Sequence, residues 1–310
     1  MGKKILQRLL YAGMVLLFLS LATFLLLQAS PVDPVALRFA QMGTPIDPEL
    51  AQEIRSNLGL DAPLPWQYWH WLTRLLQGDW GYSLTYGEPV FSLICVAAPQ
   101  TARLAFGALC VALIITLPLA TLAFYAQGRI GDFIVRVFSL LSISIPTFWL
   151  SLLLLLIFGV KLHWISIANG TNWQGMILPS IALGIWLAGL YIRRLRTALL
   201  EEAGKGYAQS ARLLGVGERH VFLRNLLPNA SLVLLPMLGI SVGNILCGSA
   251  VIETIFGWHG MGEMMTTAIL ARDYALMQAY ALWGGMAYIL SNALADVLLL
   301  YLDPRRRKKL

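Results

Sequence analysis

The stretch Tyr207–Pro228 reads YAQSARLLGVGERHVFLRNLLP, and it separates two long apolar runs of the chain. Tyr207, Ala211 and Leu214 recur at the spacing of one helical face, which predicts that the stretch begins with a short amphipathic helix. Gly215 is predicted to end that helix at a tight turn, where the backbone needs a residue without a Cβ. A second short helix is then expected to run to the final proline, which suits the first turn of the next apolar helix.

Two interpretations of this stretch remain open on the residues alone. It could be a solvated loop between two membrane-spanning helices. Alternatively, it could be a folded helix–turn–helix whose apolar stripe docks into a groove on another protein. The mixed charge of the stretch and its glycine turn favour a folded segment.

Composition places the chain among membrane proteins. Of its 310 residues, 58% are hydrophobic and 13% are charged, whereas a soluble domain carries about a quarter charged residues. Roughly 20 apolar residues cross a bilayer as a helix, and runs of that length recur. The sequence therefore predicts an all-α polytopic membrane protein with six transmembrane helices, and it excludes a soluble enzyme. The predicted spans lie at about 9–29, 98–126, 134–160, 173–192, 228–252 and 276–301.

The charged residues are distributed over alternate loops. Basic residues precede the first span, the segment 193–224 carries seven bases against three acids, and the tail 303–310 is basic. The segment 30–95 instead carries seven acids against three bases. The positive-inside rule therefore places both termini in the cytoplasm. This pattern accounts for the net charge of +7 without nucleic acid as a partner, and the predicted surroundings are membrane lipid.

The acidic segment contains an aromatic amphipathic helix, predicted over 66–76, that carries Trp66, Tyr68, Trp69 and Trp71. Aromatic side chains of this kind suit the headgroup level of a membrane. The helix could lie on the membrane as a packed collar, or it could form a docking surface for an extracytoplasmic partner. The two interpretations are compatible.

Four further residues are candidates for gating or for the translocation pathway. Pro146 lies inside the third span, where proline kinks a helix and neighbouring helices satisfy the freed backbone. Asp296 lies near the cytoplasmic end of the sixth span and could make either a structural hydrogen bond or a gating contact. Glu253 and His259 belong to an outside loop predicted over 253–273. His259 could bind a metal transiently or respond to pH, or it could be a tolerated polar residue.

The remaining titratable residues predict no site for chemistry. The three cysteines and four histidines have no metal-ligand spacing, so neither a metal site nor a disulfide framework follows. The sequence contains no GxxxxGK[ST] motif for binding nucleotide phosphates. The chain is therefore predicted to carry no catalytic residue and no cofactor of its own.

Several motifs together resemble one permease subunit of the peptide/nickel family of binding-protein-dependent ABC importers, the first of their two permeases. The opening stretch is similar to the EAA loop of these permeases: Gln209–Ala211 hold the Glu-Ala-Ala places, Gly215 holds the glycine and Leu227–Pro228 hold the end. The family commonly has proline where this chain has His259 and Ala275. The other matching motifs are LGLDAPLPWQYWHWL at Leu58–Leu72, GDWGYS at Gly78–Ser83, SISIPTFWL at Ser142–Leu150, VIETIFGWHGMG at Val251–Gly262, RDY at Arg272–Tyr274 and LDPRRR at Leu302–Arg307.

The resemblance implies the type I ABC importer permease fold and a place in the bacterial inner membrane. It also implies a partner set: a second homologous permease, two cytoplasmic ATPases that bind the ATP, and an extracytoplasmic substrate-binding protein. The solute would be a short peptide, nickel, or a metal-chelate complex such as an opine-like metallophore. The residues implied to couple this chain to the ATPases are Tyr207, Gln209, Ser210, Ala211, Leu214, Gly215, Arg219, Leu227 and Pro228.

The resemblance also suggests how the chain is divided. The predicted parts are an N-terminal transmembrane helix at 1–30, a periplasmic helical segment at 31–95, a permease core at 96–302 with coupling helices near 199–225, and the basic tail at 303–310. The alternative function is a self-contained secondary transporter or channel. Such carriers usually show charged residues near the membrane midplane and internal repeats, whereas the spans here are nearly free of charge.

Overall fold

The computed structural model describes residues 2–29, 48–57, 61–164 and 172–302. The basic tail at 303–310, the beginning of the predicted periplasmic segment at 30–47 and the first three residues of the motif at 58–72 lie outside these residues. Helices make up most of the described chain, which confirms the predicted all-α class. The described strands form one small antiparallel hairpin, in which Tyr82 pairs with Pro89 and Ser83 with Glu88.

The described elements follow one another along the chain with short connections. The helices are α1 Gly2–Gln28, α2 Pro48–Asn57, α3 Leu64–Leu76, α4 Val90–Tyr125, α5 Ile130–Ser144, α6 Thr147–Leu154, α7 Trp173–Ala203, α8 Gly206–Leu213, α9 Glu218–Val221, α10 Leu227–Ser231, α11 Leu234–Gly248, α12 Ala250–Phe256, α13 Met261–Ala271 and α14 Tyr274–Leu302. The strands are β1 Tyr82–Ser83 and β2 Glu88–Pro89, and two π-helical turns, Leu155–Lys161 and Phe222–Leu226, follow α6 and α9.

Four described helices, α1, α4, α7 and α14, are each long and apolar enough to cross a membrane. Two further pairs pass the same test together but are bent. The segments Ile130–Ser144 and Thr147–Lys161 meet at 98°, and Glu218–Ser231 and Leu234–Cys247 meet at 44°. Counting each bent pair as one span gives six spans, the number that the sequence predicts.

The third span is not the kinked helix that the sequence predicts, because the chain breaks at Pro146. Ile145 is extended, with φ of −77° and ψ of 122°, and α6 begins at Thr147. The proline ring disfavours a helical conformation of the residue before it, and α5 ends here. Pro118, by contrast, lies within the uninterrupted helix α4. Proline alone therefore does not tell a break from a continuous helix.

The outside loop predicted over 253–273 is largely helical. Helix α12 continues to Phe256, a turn with Gly257 at a φ of 60° follows, and α13 begins at Met261. These helices have 7 and 11 residues, which is too short to cross a bilayer. The sequence pattern failed here because the glycines of the turn made a helix–turn–helix look like one irregular loop.

The described contacts divide the chain into two compact units. The first comprises Met1–Pro99 with Met264–Met286, and the second comprises Gln100–Glu263 with Ala287–Leu310. In the first unit, Gly285 of α14 lies against α1, where a Cβ built on the glycine would be 2.7 Å from a side-chain carbon of Leu19. The domain boundaries expected from the sequence stay a prediction.

Helix α7 is the central helix of the second unit. A Cβ at Gly184 would lie 2.9 Å from a backbone oxygen of α4, and one at Gly189 would lie 2.9 Å from a backbone oxygen of α5. Neighbouring helices can therefore approach only because these positions lack side chains. The hydroxyl of Tyr191, fully buried on α7, donates to Ser241 of α11 at 2.7 Å. Helix α7 also continues to Ala203, well beyond the predicted end of the fourth span at residue 192.

A buried ion pair fixes the turn between α4 and α5 to α7. Asp132 is almost fully buried, and both of its carboxylate oxygens accept from Arg196, at 2.7 and 2.8 Å. The backbone amide of Gly128 donates to the same carboxylate at 3.2 Å, and Arg136 lies 3.5 Å away. Two-point pairing of this kind is among the stronger polar contacts in proteins, so it holds the end of α7 in a defined position.

We expect Asp132→Ala to destabilise the protein by about 3 kcal/mol, because removal of one partner leaves the Arg196 guanidinium partly buried and unpaired. The midpoint of thermal unfolding in detergent should fall accordingly. Arg194→Ala is the matched control, since Arg194 is exposed on the same helix, and it should leave the midpoint unchanged. Equal midpoints for the two variants would contradict a structural role for this pair.

Candidate functional site

The 207–228 stretch folds as a helix, a tight turn and a second helix. Gly215 follows the end of α8 in the left-handed conformation, with a φ of 79°. Its amide donates to the Arg212 carbonyl at 2.9 Å. The amide of Val216 donates to the Ala211 carbonyl at 3.1 Å, which completes the bonding pattern of a Schellman turn. The predicted glycine turn is confirmed, and the backbone angle is what requires glycine.

One face of α8 packs against the end of α7. Ala208 is fully buried, and Tyr207 and Ala211 are half-buried against the same apolar cluster. The hydroxyl of Tyr207 donates to the Glu202 carboxylate at 2.6 Å, and the Lys205 ammonium donates to the other oxygen at 2.5 Å. This face of the predicted site therefore contacts the chain itself and fixes α8 to α7.

An arginine connects the three helical pieces of the stretch. The Arg212 guanidinium donates to Glu218, at the start of α9, at 2.5 Å. It also donates to the backbone oxygen of Ala203, the last residue of α7, at 3.2 Å. Exposed ion pairs contribute little one at a time, but this one joins the ends of α7, α8 and α9. The stretch therefore has a fixed geometry relative to the end of α7.

The turn carries an apolar tip formed by Leu213 and Leu214. These side chains are 88% and 83% exposed, although both are leucine. The predicted stripe of Tyr207, Ala211 and Leu214 is wrong in its last member, because Leu214 follows the end of α8 and does not share the buried face. Leu213 was missed by the sequence analysis. The signal that could have found it is the pair of leucines directly before the glycine.

The other predicted coupling residues of α8 and α9 are exposed. Gln209, Ser210 and Arg219 all face outward. The side-chain amide of Gln209 donates to the Gly204 carbonyl at 3.3 Å, a bond that a glutamate at this position could not donate. These three exposed residues on α8 and α9 are all polar, in contrast to Leu213 and Leu214.

The second helix does not stop at Pro228, as the sequence predicts, but continues through it to Ser231. Pro228 lies in the first turn of α10, directly after a π-helical turn, where a missing amide hydrogen is tolerated. Leu227 is half-buried and Pro228 is exposed. The buried ring of Phe222 lies 5.7 Å from that of Phe124 at the end of α4. This aromatic contact fixes the π-helical turn at Phe222 to the end of α4.

Glu253, a candidate from the sequence, is fully buried on α12. Its carboxylate accepts four hydrogen bonds from hydroxyls and backbone amides of the second unit, which satisfy its buried oxygen atoms. The donors are the hydroxyls of Thr101 at 2.9 Å and Ser249 at 2.6 Å and the backbone amides of Gly262 at 2.7 Å and Glu263 at 3.1 Å. We call this arrangement the Glu253 cluster.

The glycines of the motif at 251–262 make room for the Glu253 cluster. A Cβ at Gly260 would lie 2.4 Å from the Thr101 hydroxyl and 2.6 Å from the Glu253 carboxylate. One at Gly262 would lie 2.5 Å from a backbone atom of Ala250. Two residues before Gly260, the indole of the buried Trp258 donates to the backbone oxygen of Gln100 in α4 at 3.1 Å. The glycines of the motif at 251–262 therefore leave the space that the Glu253 cluster occupies.

A second buried carboxylate explains two further motifs, in the first unit. Asp273, in the RDY tripeptide, accepts from the Ser83 hydroxyl at 2.6 Å and from the Thr85 amide at 3.0 Å. It also accepts from the Leu276 amide at 3.2 Å, at the start of α14. The GDWGYS and RDY motifs are therefore partners, through Ser83 and Asp273, which the sequence does not reveal because no spacing rule joins residues so far apart.

The remaining candidates are not brought together. Pro146 lies at the break between α5 and α6. His259 is exposed, with its Nδ1 atom 3.8 Å from the Glu263 carboxylate, and Asp296 is half-buried on α14. Within residues 2–29, 48–57, 61–164 and 172–302, no three side chains suited to metal ligation meet. A gating role for these residues stays a prediction.

Two family models match the chain. One describes a binding-protein-dependent transport system inner membrane component and covers residues 112–308. The other describes the N-terminal part of such membrane components and covers residues 1–105. Together they include the 207–228 stretch, the Glu253 cluster and Asp273.

Curated relatives match over nearly the whole length. The nickel import system permease protein NikB of Staphylococcus aureus strain MRSA252 is 34% identical over 312 residues, which cover 99% of this chain and 93% of that protein. The NikB protein of strain bovine RF122 / ET3-1 is 33% identical over 308 residues with the same coverage.

Solved structures of the MetNI methionine ABC transporter share the fold. In one inward-facing crystal form, a chain matches with a TM-score of 0.56 at 19% identity, covering 68% of this chain and 96% of that one. In another, the TM-score is 0.54 at 17% identity, covering 69% and 97%. The ABC importer permease fold expected from the sequence is thereby confirmed. The chain belongs to the family of binding-protein-dependent transport system inner membrane components, and it is a multi-pass permease of an ABC importer.

Proposed function

We propose that this chain forms half of the translocation pathway of an ATP-driven importer and that its 207–228 stretch receives force from cytoplasmic ATPases. The observation that carries this proposal is the exposed Leu213–Leu214 tip on helices fixed to α7. An apolar tip on a rigid helix pair fits a groove on a partner protein. The bonds from Arg212 and Tyr207 to the end of α7 would transmit movement of the tip to the spans.

The chain acts in this proposal as one subunit of an assembly. A second homologous permease completes the pathway, two ABC ATPases bind and hydrolyse the ATP, and an extracytoplasmic binding protein delivers the solute. This subunit is not itself an enzyme and binds no cofactor. The distribution of basic residues supports a cytoplasmic location for both termini and for the 207–228 stretch.

The proposed mechanism is rigid-body movement. ATP binding closes the ATPase pair, and the tip follows the groove in which it docks. Helix α7 then carries the displacement into the spans that pack against Gly184 and Gly189, because packed helices move as units and do not deform continuously. The pathway opens alternately to the two sides of the membrane, and hydrolysis resets the cycle.

The proposed solute is nickel or a metal-chelate complex. A short peptide is the alternative solute. The support is that relatives at 33 to 34% identity over 99% of this chain are nickel import permeases. We expect cells that express the whole system to accumulate nickel only when this chain is present. Dipeptide uptake that depends on the chain, with no effect on nickel, would contradict the choice of solute.

We further propose that the Glu253 cluster positions α12 and α13 against α4 and takes no part in binding the solute. Its four donors are all neutral groups of the chain, so a neutral acceptor could replace the carboxylate. We also propose that Pro146, His259 and Asp296 belong to the gate or to the translocation pathway. For Pro146 the support is the 98° break beside it.

Leu213→Asp together with Leu214→Asp should weaken ATPase binding by roughly 30-fold, because buried anchor residues typically contribute about 2 kcal/mol or more to an interface. Co-purification of the ATPases in detergent and solute uptake in cells should both fall. The matched control is Thr197→Asp, which places a charge at an exposed site of α7 and should change neither. Undiminished co-purification in the double variant would contradict the docking proposal.

Glu253→Ala should lower the stability of the protein by about 3 kcal/mol, since it removes the acceptor of four hydrogen bonds, two of them from the backbone amides of Gly262 and Glu263. Glu253→Gln should keep most of the stability and most of the uptake, because the amide oxygen can still accept from those two groups. Thermal unfolding in detergent and uptake in cells measure the two effects separately. A stable Glu253→Gln protein that no longer transports would overturn the positioning role and show that the charge is needed.

A further inference from the structure

Helix α3 has one face that packs and one face that does not. On the packed face, the Tyr68 hydroxyl is 2.8 Å from that of Ser20, and the rings of Tyr68 and Trp71 lie 5.4 and 6.4 Å from that of Phe24. Near the end of α1, the amide of Gln28 donates to Gln67 at 2.8 Å. These contacts fix α3 along the last third of α1, between residues 20 and 28.

The opposite face of α3 is apolar and exposed. Trp66 is 51% exposed, Trp69 is 64% exposed and Leu76 is 79% exposed. Along one flank of this face lie His70, which stacks on Trp66 at 5.0 Å, and Arg74, which is exposed. The apolar face is therefore bounded on one side by polar groups, as in helices that lie in a membrane interface.

The polar flank is a charged boundary. Arg74 donates to Asp79 at 2.8 and 2.6 Å. The Gly81 amide and the Arg74 guanidinium lower the pKa of the Asp79 carboxyl, so this carboxylate stays ionised at neutral pH. Ionised groups of this kind face water or headgroups and not the hydrocarbon core. The polar flank of α3 can therefore lie no deeper in a membrane than the headgroups.

The neighbouring surface of α1 shows what covers the apolar face. Leu25 and Leu26 are exposed on α1, and by the helical rise they lie roughly 8 to 9 Å nearer the end of that helix than Ser20. Helix α3 is thus fixed to α1 at a level where α1, an apolar helix of spanning length, still presents leucine outward. The exposed leucines of an apolar helix of spanning length suit lipid, and the exposed side chains of Trp69 and Leu76 on the helix fixed beside it suit the same surroundings.

We propose that α3 lies in the membrane interface, with its Trp66, Trp69 and Leu76 face against lipid and with His70 and Arg74 toward the headgroups. Tryptophan is suited to this depth because its ring is apolar while its N–H can still find a polar partner. That this is the outer leaflet rests on the proposed topology, whereas the seating of α3 in the interface does not. The occupant is the lipid bilayer and not a protein.

The test is quenching of single fluorescent labels by nitroxide-bearing lipids, with the full chain in liposomes and Cys95, Cys110 and Cys247 replaced by alanine. A label at Trp69→Cys should be quenched severalfold more than one at His70→Cys, its neighbour on the polar flank. A label at Leu26→Cys on α1 gives the lipid-facing reference. A lipid carrying the nitroxide near the headgroup should quench the Trp69 label more than one carrying it near the chain end.

A second position guards against a misfolded variant. The label at Leu76→Cys should behave like the label at Trp69→Cys, and both should keep their quenching in the assembled importer. Equal, weak quenching at Trp69, Leu76 and His70 would overturn the proposal. Quenching that is lost when the partner subunits or the binding protein are added would also overturn it, because a protein would then cover this face.

Discussion

The close packing of α7 is the constraint on which the second unit depends. Gly184 and Gly189 allow neighbouring helices to approach to backbone contact, and the side chains of Tyr191, Leu195 and Leu199 are fully buried along the same helix. The end of α7 is bonded to Tyr207 and Arg212 of α8 and, through Arg196, to Asp132 in the first turn of α5. A helix held so closely moves as a unit, which is why the proposed docking surface at its end would influence the spans around it.

Two buried carboxylates, one in each unit, are satisfied in the same way. The described donors to Glu253 in the second unit and to Asp273 in the first are hydroxyls and backbone amides of the chain. Removing such an acceptor strands several buried donors at once, so each carboxylate fixes several segments together. Residues around Glu253 come from the glycine-containing motif at 251–262, and the Ser83 hydroxyl that donates to Asp273 comes from the GDWGYS motif at 78–83.

The sequence predicted what depends on local pattern. Long apolar runs predicted the spans, aromatic spacing predicted α3, and the glycine of the 207–228 stretch predicted the left-handed turn at Gly215. What it could not predict depends on contacts between distant residues. Pro118 and Pro146 look alike in sequence, yet only the second ends a helix. The burial of Tyr207 and Ala211 against α7, the exposure of Leu213, and the pairing of Ser83 with Asp273 all follow from packing that no spacing rule contains.

The central claim is that energy enters this permease through contact with separate ATPases. The most direct measurement is solute uptake by liposomes that contain the chain purified from its native membrane with everything that remains bound to it. We expect a second permease and ATPase subunits to accompany the chain and uptake to require ATP. If the chain came out alone and still moved solute down a gradient without ATP, the chain would instead be a self-contained secondary transporter.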